Sequence, residues 1–122
     1  MLEIADTEKN PTLQEKLLTV VVIGAGFSGV ETIGEINDFV RDSVKSYYHN
    51  INPDNIKMIL VSASDKILPE LGEELGKKAY KSLQKAGVRI IPNTMVGIDY
   101  AIFRTISYDT TTNEVRGKWS AN

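Results

Sequence analysis

The stretch Leu18-Thr-Val-Val-Val-Ile23-Gly24-Ala25-Gly26-Phe27-Ser28-Gly29 decides how the rest of the chain reads. Leu18 to Ile23 is a nearly continuous β-branched run, the pattern of a central parallel strand covered on both faces. Three glycines in the order G-x-G-x-x-G follow at once, and a long helical pattern follows them. On its own that spacing is a weak signal. Between a strand and a helix it becomes specific, because each glycine has a separate task. Gly24 turns the chain sharply off the strand. Gly26, lacking a side chain, leaves room for a pyrophosphate to approach the backbone, and Gly29 lets the helix pack closely. The amides of Ala25, Gly26, Phe27, Ser28 and Gly29 then cluster at a helix start, where partial positive charge accumulates and a diphosphate is held. A tight turn that binds nothing is the competing reading. The Ser28 hydroxyl would cap the helix or touch phosphate.

Outward from this stretch, the pattern alternates. Residues 1 to 17 form a lead-in with a short helix or two, Asn10-Pro11 marking a helix start. After the glycines, Val30, Ile33, Phe39 or Val40, Val44 and Tyr47 recur at helical spacing, and the helix extends to Tyr48. His49 to Asn55 is a loop, and Met58 to Ser62 a second strand. Glu70 to Ala86 reads as a helix with Leu71, Leu75, Ala79 and Leu83 on one face. It is acidic at its start, basic later, and stopped by Gly87. Val88 to Ile91 is a third strand. Residues 18 to 91 therefore make a βαβαβ core, whose right-handed crossovers give a parallel sheet. Residues 92 to 122 change character. Met95 to Tyr100, Ile102 to Tyr108 and Glu114 to Trp119 read as three short antiparallel strands, with a hairpin at Thr110 to Asn113. The fold class is thus α/β: a Rossmann-type parallel sheet with flanking helices plus a C-terminal antiparallel β-meander.

Composition narrows the function. The 122 residues are one domain's worth, 42% apolar. The absence of cysteine excludes disulfides and thiolate metal sites, and the single histidine, His49, sits in a polar loop without a second ligand, so no metal site is expected. A net charge of −2 with both signs interspersed gives no footprint for nucleic acid. No apolar run reaches the roughly 20 residues of a membrane span, and the N-terminus is not a signal peptide. A soluble, cytoplasmic segment without membrane contact is the expectation.

Ser62 closes the second strand, where NAD-specific Rossmann domains usually place a carboxylate that binds the ribose hydroxyls and repels a 2′-phosphate. Here the sequence is Ser62-Ala63-Ser64-Asp65-Lys66. Serine can bond a ribose hydroxyl but excludes no phosphate, Asp65 could supply the carboxylate, and Lys66 could pair with a phosphate. Ser62, Ala63, Asp65 and Lys66 are accordingly the candidate ribose contacts, and NADPH stands beside NADH as a candidate cofactor. A solvated turn is the alternative for this loop.

Val20-Val-Val-Ile-Gly-Ala-Gly-Phe-Ser-Gly-Val-Glu-Thr-Ile-Gly-Glu-Ile-Asn-Asp-Phe-Val40 resembles the second glycine fingerprint of type II NADH:quinone oxidoreductases. These are single-chain flavoproteins of the pyridine nucleotide-disulfide oxidoreductase superfamily. The long helix before Tyr47-Tyr48, Lys66-Ile-Leu-Pro-Glu-Leu71, Gly72-Glu-Glu-Leu75 and Gly87-Val-Arg-Ile-Ile-Pro-Asn-Thr94 agree as well, so the resemblance covers roughly residues 1 to 100. It implies that residues 1–122 are a single NADH-binding domain, excised from a larger chain whose separate domain holds FAD. It also implies a parent that is peripheral to the cytoplasmic face of a membrane, and a fragment inactive by itself. The strand expected to return the chain to the flavin domain is not evident before Asn122. By resemblance Glu31, two residues past the last glycine, is the catalytic carboxylate near the nicotinamide; a first-turn glutamate favoured by the helix dipole is the plainer alternative. From a different class, a non-enzymatic dinucleotide-sensing Rossmann module would use the same turn. Two further readings place FAD on the glycines, giving a yellow protein, or leave the turn without a ligand.

Overall fold

A computed structural model describes residues 1–99, 104–112 and 114–119. Two short helices, α1 (Leu2–Thr7) and α2 (Pro11–Leu17), open the chain. The side chain of Asn10 caps α2 by accepting the Thr12 amide, with Pro11 in the first turn where its missing N–H costs nothing. The β-branched run forms β1 (Thr19–Ile23), and α3 follows from Phe27 to Tyr47. Strand β2 is Lys57–Val61, ending one residue before Ser62.

The next helix begins later than its sequence pattern implies. Pro69–Leu71 is a single 3₁₀ turn, and α4 runs Glu73–Lys85 from Gly72, whose φ of 86° breaks the phase between the two. That break corrects the expected apolar face. Leu71 and Leu75 are exposed, while Ala79, Tyr80 and Leu83 pack on the core. Gly87 (φ 95°) turns the chain into β3 (Val88–Ile91).

The three strands pair in parallel in the order β1-β2-β3. Register aligns Val20 with Met58 and Val88, and Val22 with Leu60 and Ile90. These two rows face α3 and α4 and, with Ile33, Val40 and Val44 of α3, form the core. Of the alternatives Phe39 and Val40, it is Val40 that turns inward; Phe39 is 68% exposed, as is Tyr47 at 77%. Coverage of β1 on both faces is likewise corrected. Among the described strands β1 has β2 as its one neighbour, and on the face away from the helices Val21 and Ile23 are 38% and 58% exposed.

Asn37 is a polar residue in this apolar layer, 1% exposed. Its Nδ2 donates to the Ala86 carbonyl at 3.0 Å and its Oδ1 accepts from Arg41 Nε at 2.8 Å, while the Arg41 guanidinium also donates to the Gly87 carbonyl. The buried amide is thus satisfied at both ends, and α3 is tied to the end of α4.

Beyond Pro92 the described residues form β4 (Thr94–Asp99), β5 (Arg104–Asp109) and β6 (Val115–Trp119), antiparallel in that order. Tyr100, Ile102 and Asn113, assigned above to strands and hairpin, lie outside the described residues. Among the described residues no helix is long and apolar enough to cross a membrane, and no cluster of three acidic or histidine side chains could hold a metal ion.

Candidate functional site

Strand β1 delivers the chain to the glycine turn at the C-terminal end of the sheet. Gly24 takes φ 104°, a conformation that an L side chain adopts only with strain. Its amide donates to the Val61 carbonyl at 2.9 Å, which holds the turn beside the end of β2. Five residues on, the helix passes so close that a side-chain carbon on Gly29 would lie 1.7 Å from the Gly24 carbonyl oxygen. Gly26 differs. A carbon built there meets nothing within 4 Å, so the space above it is open.

Gly26 is the N-cap of α3 and carries no capping side chain. The first intrahelical bond is donated by Val30 to the Gly26 carbonyl. The amides of Gly26, Phe27, Ser28 and Gly29 therefore have no acceptor among the described residues. The expected Ser28 cap is not formed; its position inside the helix leaves the hydroxyl exposed. The first turn of α3 has no acidic side chain to offset the positive end of the dipole, and Glu31, one residue further in, is exposed without an ion-pair partner among the described residues. These features fit a diphosphate: open space, unpartnered donors and an uncompensated helix terminus meet at one turn.

The loop after β2 lies alongside. Leu68, itself at φ 49°, donates its amide to the Ala25 carbonyl at 2.9 Å. On the other side the amides of Asn93 and Thr94 donate to the carbonyls of Ser64 and Ser62. The Ser62 side chain behaves unlike the expectation of a ribose contact. The residue is 2% exposed, its hydroxyl donates to the Lys66 carbonyl at 2.8 Å, and it accepts the Ser64 amide at 3.3 Å. Ser62 therefore closes the loop on itself. Ala63, Asp65 and Lys66 are exposed beyond it, and the amides of Ala63 and Asp65 have no acceptor among the described residues.

Sequence reasoning missed two parts of this arrangement. One is the Leu68–Ala25 bond, which joins the two loops; its sole trace in the sequence is the Leu-Pro pair at 68–69. The other is a groove of about 390 Å³ between this loop and α4, lined by Asp65, Lys66, Glu73, Lys77, Tyr80 and Lys81 among others. Lysines spaced along one stretch of α4 were the available signal.

Comparison with known proteins places this geometry. A family model described as pyridine nucleotide-disulphide oxidoreductase matches residues 1–115. The type II NADH:quinone oxidoreductase Ndh of Mycobacterium tuberculosis is 37% identical over 94 residues, which are 77% of this chain and 20% of that protein. The external alternative NADH-ubiquinone oxidoreductase of Yarrowia lipolytica mitochondria is 33% identical over 104 residues, 84% of this chain and 18% of the relative. The chain thus spans about a fifth of the length of these relatives. In three dimensions it is similar to NDH2 from Plasmodium falciparum, solved in complex with NADH, with a TM-score of 0.80 at 22% identity over 98% of this chain and 24% of that one.

Proposed function

The chain belongs to the pyridine nucleotide-disulphide oxidoreductase family, and from that membership we propose that it is the NAD(P)H-binding domain of a flavin-dependent NADH dehydrogenase, acting with an FAD-holding domain outside these residues. The observation that carries the reading is the set of four unpartnered amides, Gly26 to Gly29, at the open turn where α3 begins. Those amides and the helix terminus would hold the diphosphate. Ala25 would contribute at the same turn, while Ala63, Asp65 and Lys66 meet the adenosine ribose at the end of β2. Ser62 would support that contact from behind rather than make it.

A reduced nicotinamide, when held here, would supply a hydride to a flavin in the FAD-holding domain. The part of this chain is placement, because hydride transfer needs the reacting atoms about 3–3.5 Å apart. Glu31, exposed one turn into α3, would hold the nicotinamide end in register. The exposed apolar face of β1, at Val21 and Ile23, supports a domain that rests against further protein. The similarity to relatives about five times longer agrees with that.

Anaerobic addition of NADH to the flavin-loaded full-length protein tests the reading. Bleaching of the flavin colour is expected. A flavin that stays oxidised while NADH is in excess contradicts it.

A further inference from the structure

We propose that the groove between α4 and the loop after β2 receives the 2′-phosphate of a phosphorylated dinucleotide, with Lys66 and Lys81 as the residues that admit it. The inference rests on the reading of the glycine turn as a diphosphate site. A dinucleotide gripped there sends its adenosine ribose toward the end of the neighbouring strand. In this chain that end is Ser62, and the groove begins three residues later, at Asp65 and Lys66. The hydrogen bonds from Gly24 to Val61 and from Leu68 to Ala25, both 2.9 Å, keep the turn and the groove's rim side by side.

The carboxylate that ordinarily excludes a 2′-phosphate stands at the end of the second strand. Position 62 offers a hydroxyl, and that hydroxyl is bonded inward to the Lys66 carbonyl. The charge in the groove favours an anion. Lys66, Lys77 and Lys81 line it against Asp65 and Glu73. Glu73 pairs with Lys77 at 3.5 Å, whereas Lys66 and Lys81 have no ion-pair partner among the described residues. Two unneutralised ammonium groups thus share a groove with one carboxylate, Asp65, that has no ion-pair partner among the described residues. Its volume of about 390 Å³ falls in the range of small-molecule sites, roughly 300–1,000 Å³. Depth comes from Gly76, where a side-chain carbon would lie 2.9 Å from the Ile67 carbonyl; the loop lies directly on the helix, with half-buried Tyr80 as the wall one turn further along.

The test compares 2′,5′-ADP with 5′-AMP, two fragments that differ by the phosphate in question, by calorimetry on the full-length protein. NADH and NADPH are titrated alongside. We expect 2′,5′-ADP to bind at least about fivefold tighter than AMP, and the K66A and K81A substitutions each to reduce that ratio. Both lysines are exposed, so the variants should fold, and the wild-type ratio is informative without them. Equal or weaker binding of 2′,5′-ADP, or a preference unmoved by either substitution, overturns the proposal while leaving NADH binding intact. Failure of NADH, NADPH and both fragments to bind removes the diphosphate site and this groove's role together.

Discussion

Gly29 crosses the Gly24 carbonyl so closely that a methyl group on it would sit 1.7 Å from that oxygen. The obstructing atom is backbone, and the turn that carries it is fixed by the Gly24–Val61 hydrogen bond, so neither side can yield without moving β1 or α3. Gly29→Ala should therefore destabilise the fold by about 3 kcal/mol or more. Chemical denaturation measures this directly, and a loss below about 1 kcal/mol would show that the helix can lift away.

Asn37 supports a second prediction about stability. Leucine at this position keeps the volume but leaves the Ala86 carbonyl and Arg41 Nε without their partner. Asn37→Leu should cost about 2 kcal/mol, the scale of orphaned buried polar groups. Arg41→Ala, which removes a less buried member, should cost less. An Asn37→Leu variant as stable as the parent would mean that water replaces the network.

Ser62 separates the two roles that a residue at the end of β2 can have. With its hydroxyl bonded to Lys66 and Ser64, Ser62→Ala should loosen the loop by about 1 kcal/mol. It should weaken NADH and NADPH binding by the same factor. A loss confined to one of the two nucleotides in paired titrations would restore a direct ribose contact.

Glu31 is exposed and has no ion-pair partner among the described residues, so Glu31→Gln should leave stability within about 0.5 kcal/mol of the parent. In the full-length protein the same change should lower turnover about tenfold or more, which corresponds to a loss of about 1.4 kcal/mol in the transition state. Steady-state kinetics with NADH check this. Unchanged kcat and unchanged NADH affinity together would remove Glu31 from the site.

Legibility in the sequence followed how local each requirement was. The turn could be read because Gly24 and Gly29 answer to constraints within six residues of chain, and β3 could be bounded because Gly87 and Pro92 flank it. Partners set by tertiary packing could not. Nothing in Ser62-Ala-Ser-Asp-Lys66 says that the first hydroxyl turns inward, because the backbone groups that hold it are brought there by the loop's closure against Asn93 and Thr94. The start of α4 is set by Gly72, whose φ of 86° interrupts a stretch where the acidic residues Glu70, Glu73 and Glu74 and the apolar spacing of Leu71 and Leu75 read as one helix. An apolar run such as Val20 to Ile23 tells that both faces of a strand are apolar but not what covers the second.

Gly26 offers the most direct trial of the diphosphate site, because its missing side chain serves no contact inside the protein. Calorimetric titration of NADH into full-length Gly26→Ala, with the thermal midpoint measured in parallel, is the decisive comparison. A stability change of about 1 kcal/mol or less is expected together with at least about a tenfold loss of NADH affinity. An unaltered NADH affinity in a folded Gly26→Ala protein would contradict the diphosphate site.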